Sequence, residues 1–146
     1  MHPTTVGWLS VSDAENMKEF NLSSTANQFE SGGRPIISLV GMDAGLTTLE
    51  KMGWETISKT TLARAEALSE GLINLNIPLV MEYTDDNRSG IVTIREGEHT
   101  QQIKDVLEQY QVVSTFRDNM LRLSPYYIHS SDDIDVVLDV IRGCVN

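Results

Sequence analysis

The sequence predicts an α+β fold: a small, mostly antiparallel sheet covered on one face by helices. Apolar spacing switches between the helical period and strand-like alternation in the order ααββαββα. Each pair of strand-like runs is separated by a short turn-rich stretch. Few apolar residues are left over, so the helices must use their apolar faces on the sheet.

Residues 1–30 stand apart. "TVGWLSV" reads as a short strand and residues 13–20 as one weak helical turn, but the polar stretch between Ser12 and Gly33 has no sustained period. A long, poorly patterned segment is unusual inside a compact domain. It predicts a connecting arm over 1–30, whose packing partner lies elsewhere, ahead of a domain over 31–146.

From Pro35 the pattern sharpens. "PIISLVGMDAGLTTLEKMG" sets apolar residues at 36, 39, 40, 42, 46, 49 and 52, a helical stripe with Pro at its start and Gly53 past its end. "TISKTTLARAEALSEGLINLN" repeats the pattern through Ile57, Leu62, Ala65, Leu68, Leu72 and Leu75, and Pro78 stops it. "PLVMEYT" and "GIVTIRE" are strand-like, on either side of "DDNRSG". "TQQIKDVLEQY" returns to helix with Ile103, Val106, Leu107 and Tyr110 on one side. "VVSTFRDNMLRLS" reads as a hairpin turning near Asp118-Asn119. The last helix opens on a capping box, Ser130 with Asp133, and Gly143 marks its predicted end.

Composition narrows the function. The chain has 146 residues, enough for one domain with a core. Its net charge is −10 and its seven Arg and four Lys are scattered, so no nucleic-acid partner is expected. One cysteine, Cys144, forms no internal disulfide. No apolar run approaches the ~20 residues of a membrane span. A cytoplasmic location and no membrane contact are the expectation.

Several chemistries fail on spacing. His2, His99 and His129 have no metal-ligand spacing with one another or with Cys144. "ESGGRP" has glycines but lacks the strand-to-helix setting of a phosphate loop. No nucleophile elbow occurs, and Cys144 reads as an incidental thiol near a helix end. Trp8 reads as burial against a neighbouring surface, the Tyr126–Tyr127 pair as packing across a bend, and the acids at 132–135 as helix capping.

Arg122, between Leu121 and Leu123, is the best candidate. Alternation sets it on the sheet face away from the two leucines. By pattern alone it reads as an exposed surface residue; the alternative is a bidentate fork for a carboxylate, for which Lys is a poor substitute. Arg34 by pattern is a solvated loop residue.

Taken together, "VGW", "FESGG", "MGWETI", "GIVTI" and "LRLSPYYIHSSDDID" resemble, in order and spacing, the C-terminal part of class V aminotransferases. These are fold-type-I pyridoxal-phosphate (PLP) enzymes, a group that includes cysteine desulfurases, selenocysteine lyases and isopenicillin-epimerase-like proteins. The resemblance runs from about Val6 to the end. It implies that the chain is the small C-terminal domain of a PLP-dependent transferase or lyase acting on an amino acid. It also implies a missing N-terminal large domain that carries the Schiff-base lysine, a homodimer in the full enzyme, and a fragment inactive alone. None of Lys18, Lys51, Lys59 and Lys104 sits in the context of the cofactor lysine. The resemblance makes Arg122 the partner of the substrate α-carboxylate. Gly33 stands where the family has a Thr that reaches the cofactor phosphate, a contact left to the Gly33 N–H or to Arg34. His129 replaces an Asn. The hairpin lacks the cysteine found in this neighbourhood in persulfide-forming desulfurases, which disfavours that chemistry. Two rival readings stand beside this one: a cysteine desulfurase or selenocysteine lyase type of domain, and a stand-alone α+β binding module.

Overall fold

The structure, a computed structural model, describes residues 1–16 and 18–145. The chain divides into two compact units, Met1–Thr48 and Leu49–Asn146.

In the first unit the strand expected in "TVGWLSV" is reduced to one antiparallel bridge, Val11 with Leu22. The segment also approaches Ser31 closely: a Cβ on Gly7 would lie 1.7 Å from the Ser31 carbonyl oxygen. The buried Ser10 hydroxyl joins the two segments. It accepts from the Gly7 N–H (3.0 Å) and donates to the Glu30 carbonyl (2.8 Å). The helical turn expected over 13–20 does not form among the described residues; Met17 lies outside them. Asp13 and Asn16 instead accept from the N–H groups of Glu15 and Lys18, both at 3.1 Å. Such local side-chain bonds compete with the helix. A short 3-10 helix, Ala26–Phe29, follows, with the Thr25 side chain capping it through the Asn27 N–H.

Helix α1, Ile36–Met52, forms where the spacing predicts it but buries none of its residues. Ile37 is 91% exposed, and Ile36, Val40, Met42 and Met52 are exposed with it. A helix apolar over much of its circumference ordinarily lies inside a larger assembly. Gly53, at φ +85°, ends it in a conformation that favours glycine.

The second unit holds the sheet. Its elements are α2 (Trp54–Asn74), β1 (Val92–Ile94), α3 (Thr100–Gln109), β2 (Thr115–Arg117), β3 (Met120–Leu123) and α4 (Ser131–Val145). The strands are antiparallel in the order β1-β3-β2. Helices α2 and α3 end alike. Asn76 and Gln111 take φ +59°, and the next N–H, of Ile77 or Val112, reaches back to the carbonyl of Leu72 or Leu107. This is the Schellman pattern, with the hydrophobic pair Leu72–Ile77 buried beneath the first. The hairpin turn falls at Asp118-Asn119, both at positive φ, as a two-residue connection requires. Leu68, Leu72, Leu107, Ile134 and Ile141 from the helices pack on Val92, Ile94, Leu121 and Leu123 of the sheet.

Two expectations fail here. "PLVMEYT" is not a regular strand; it makes one bridge, Leu79 with Ile94, flanked by bonds from Val80 N–H to Thr93 and from Arg95 N–H to Pro78. Pro78 offers no donor, and beyond Val80 the chain is drawn away. The Tyr83 hydroxyl donates to the Ser89 carbonyl at 2.7 Å, and Asn87 accepts from the Thr84 N–H at 2.9 Å. Gly143 does not end α4, which runs on to Val145, because it does not take the left-handed conformation of a terminating glycine.

Candidate functional site

Strand β3 is the central strand, held by hydrogen bonds on both sides. Alternation turns Leu121 and Leu123 into the core, at 0% and 4% exposure, and leaves Arg122 exposed on the opposite face. Thr93 on β1 and Thr115 on β2 stand directly beside it in register. Arg122 thus projects from the stiffest part of the sheet.

Its charge is free. Arg34 pairs with Glu30 (2.7 Å), Arg88 with Asp85 (3.1 Å), Arg117 with Asp118 (3.6 Å) and Arg142 with Asp139. Arg64 donates to the His129 carbonyl (3.0 Å), and Arg95 donates to those of Leu79 and Val80. Among the described residues, Arg122 is the arginine without a hydrogen-bond or ion-pair partner. It stands in the wall of two concavities. One, of about 700 Å³, is shared with Thr115, Ser124, His129 and Asp133; the other, of about 240 Å³, with Thr93, Tyr83 and Asn87.

The turn between β3 and α4 is tightly tied. The His129 N–H donates to the Tyr126 carbonyl (3.0 Å), and His129 Nδ1 accepts from the Tyr126 N–H (2.9 Å). The Tyr126 and Tyr127 rings meet edge to face, centroids 4.5 Å apart. The capping box is complete on α4: Asp133 Oδ2 accepts from the Ser130 N–H (2.7 Å) and hydroxyl (2.9 Å), while the Asp133 N–H donates to Ser130 Oγ (3.1 Å). The Ser130 N–H is the main cause that holds the Asp133 carboxyl below its ordinary range.

The other sequence candidates lie elsewhere. Gly33 and Arg34 belong to the first unit. A Cβ on Gly33 would meet open space, and Arg34 is committed to Glu30. Burial pushes the Cys144 thiol up, away from nucleophilic character, and its Sγ–H donates to the Ile141 carbonyl. Trp8 is 63% exposed. Among the described residues no group of three metal-ligating side chains occurs, and no helix is long and apolar enough to cross a membrane. Sequence reasoning missed the bond from Arg64 to the His129 carbonyl. These groups lie 65 positions apart and nothing local signals their meeting.

A PLP site needs a lysine whose amine gives up its proton readily. Lys59 is paired with Glu55 (2.8 Å) and Lys104 with Glu108 (2.7 Å); the Glu108 hydrogen bond is the main cause that raises the Lys104 pKa. No lysine lines either concavity beside Arg122. These residues do not by themselves build a cofactor pocket.

The family model described as aminotransferase class V matches residues 1–116. The chain belongs to that family. Among class V relatives, a probable cysteine desulfurase from Pyrococcus abyssi (strain GE5 / Orsay) is 26% identical over 112 residues, covering 76% of this chain and 28% of the relative. The apo structure of a cysteine desulfurase from Thermococcus onnurineus NA1 superposes with a TM-score of 0.85 at 19% identity, over 98% of this chain and 39% of that one. A complex between the cystine C-S lyase C-DES and its reaction product cysteine persulfide superposes at 0.77 and 21% identity, over 96% and 38%. At these identities the structures establish the fold. The chain spans well under half the length of each of these relatives.

Proposed function

We propose that this class V chain is the small C-terminal domain of a PLP-dependent enzyme acting on an amino acid, and that Arg122 holds the substrate α-carboxylate. One observation carries the reading: a guanidinium on the central strand that faces away from the core and has no partner among the described residues. A guanidinium carried on a central strand can hold a carboxylate bidentately, so that the substrate amine meets a cofactor held elsewhere. PLP, when bound in the whole protein, supplies the electron sink for chemistry at the amino-acid α-carbon. The cofactor lysine is assigned to an N-terminal large domain, which leaves this chain inactive alone.

The partner assignments follow from the same reading. Residues 1–30 are the arm from the large domain, 31–146 the small domain, and the bare apolar surface of α1 is the part that the larger body covers. Gly33 and Arg34 are the proposed contribution to the cofactor phosphate in a cytoplasmic homodimer.

A second reading, a cysteine desulfurase or C–S lyase type of reaction, is supported by the desulfurase and C–S lyase relatives. The absence of a cysteine between Val112 and Leu123 weighs against its persulfide-forming version.

Arg122→Ala in the complete gene product tests the first reading. Loss of two charge-assisted hydrogen bonds is expected to weaken amino-acid binding about a hundredfold. Cofactor loading, read by absorbance, and the melting temperature are expected to stay unchanged. Unaltered amino-acid affinity would sink the assignment, as would a gene product with no large domain.

A further inference from the structure

Among the described residues the ring of His129 makes one hydrogen bond, and that bond fixes its tautomer. A backbone N–H can only donate, so Nδ1, at 2.9 Å from the Tyr126 nitrogen, is the acceptor. In the neutral ring the proton therefore sits on Nε2. Nε2 has no partner among the described residues. His129 shares the wall of the 700 Å³ concavity with Arg122, and its backbone is clamped on both sides, by Tyr126 through the turn and by Arg64 from α2. Asp133, on the same wall, is tied up in the α4 cap.

We infer that His129 is a second recognition residue for an anionic ligand: Nδ1 holds the turn, and Nε2–H donates to the carboxylate that Arg122 binds. The inference rests on the carboxylate reading of Arg122. An Nε2–H donor on the wall that also holds the guanidinium adds direction to the recognition of an anion, and the clamped turn removes the ring's freedom before the ligand arrives. Where the family pattern has Asn, this sequence has His129 and with it the Nε2–H donor.

The test uses this 146-residue chain, which contains both residues, with acetate as the probe. Long-range nitrogen–proton spectra of the ring read the tautomer and are expected to show the proton on Nε2. On titration with acetate, the Arg122 side-chain signals and His129 Nε2 are expected to move along one saturating curve. His129→Asn keeps an acceptor for the turn and removes the outer donor. It is expected to bind acetate about tenfold more weakly at an unchanged melting temperature. His129→Gln does the reverse and is expected to lower the melting temperature more than the affinity.

A shift at Arg122 with none at His129 overturns the inference and leaves the carboxylate reading standing. That result is expected if Nε2–H faces Asp133 instead. An Asn variant that binds acetate as tightly as the parent has the same meaning. No shift at either residue, with Arg122→Ala indistinguishable from the parent, overturns both.

Discussion

Replacing Gly7 by Ala puts the packing of the first unit to the test. The added Cβ would stand 1.7 Å from the Ser31 carbonyl oxygen, and the two backbones must part by about 1.3 Å to reach the 3.0 Å that real Cβ atoms tolerate. Neither neighbour is a flexible side-chain end. Parting them stretches the Ser10 bridge, at 3.0 Å to Gly7 and 2.8 Å to Glu30, beyond hydrogen-bonding range, and Ser10 is fully buried. Two lost bonds at roughly 1 kcal/mol each, plus an unpaired buried hydroxyl, sum to about 2–4 kcal/mol. Hydrogen exchange in peptides spanning residues 5–31 should then quicken by roughly thirtyfold or more. Peptides from Leu49 onward should exchange as before. Gly33→Ala, which meets open space, is the matched control. Unchanged exchange over 5–31 in the Gly7 variant would refute this account of the arm.

Other outcomes follow from the second unit. Leu72→Ala removes a fully buried side chain shared by the core and the α2 terminus, and should cost about 2–5 kcal/mol in denaturant titrations of the chain. The Asp133 carboxyl is held below its ordinary value of 3.8, so its stabilisation of α4 is complete above that value and fades as pH falls through the lower, folded one. Helix content followed by circular dichroism should show this acid loss in the parent, and Asp133→Asn should flatten it.

The elements with strong periodicity were readable because each carries a boundary signal of its own. α1 ends at Gly53 and the hairpin at Asp118-Asn119, while Ser130 and Asp133 open α4. What the sequence concealed depends on partners distant in the chain or missing from it. Spacing made 78–84 a strand, but Tyr83 and Asn87 turn that segment toward Ser89 and Thr84 after a single bridge. Alternation put Arg122 on the outer face, but nothing local says that the other arginines are partnered and this one is not. The role of the 126–129 turn was hidden for a similar reason, because the Nδ1 bond depends on the turn closing.

The isolation of Arg122 has an electrostatic corollary. The chain carries a net charge of −10, so the long-range field around it repels anions, while the Arg122 guanidinium, without a partner among the described residues, attracts them at short range. Screening at about 0.15 M salt acts over roughly 8 Å, and therefore weakens the distant repulsion more than the contact attraction. An anionic ligand approaching this face meets its barrier far out and its reward close in. Moderate ionic strength should speed its arrival, the reverse of the slowing seen where a whole surface is basic.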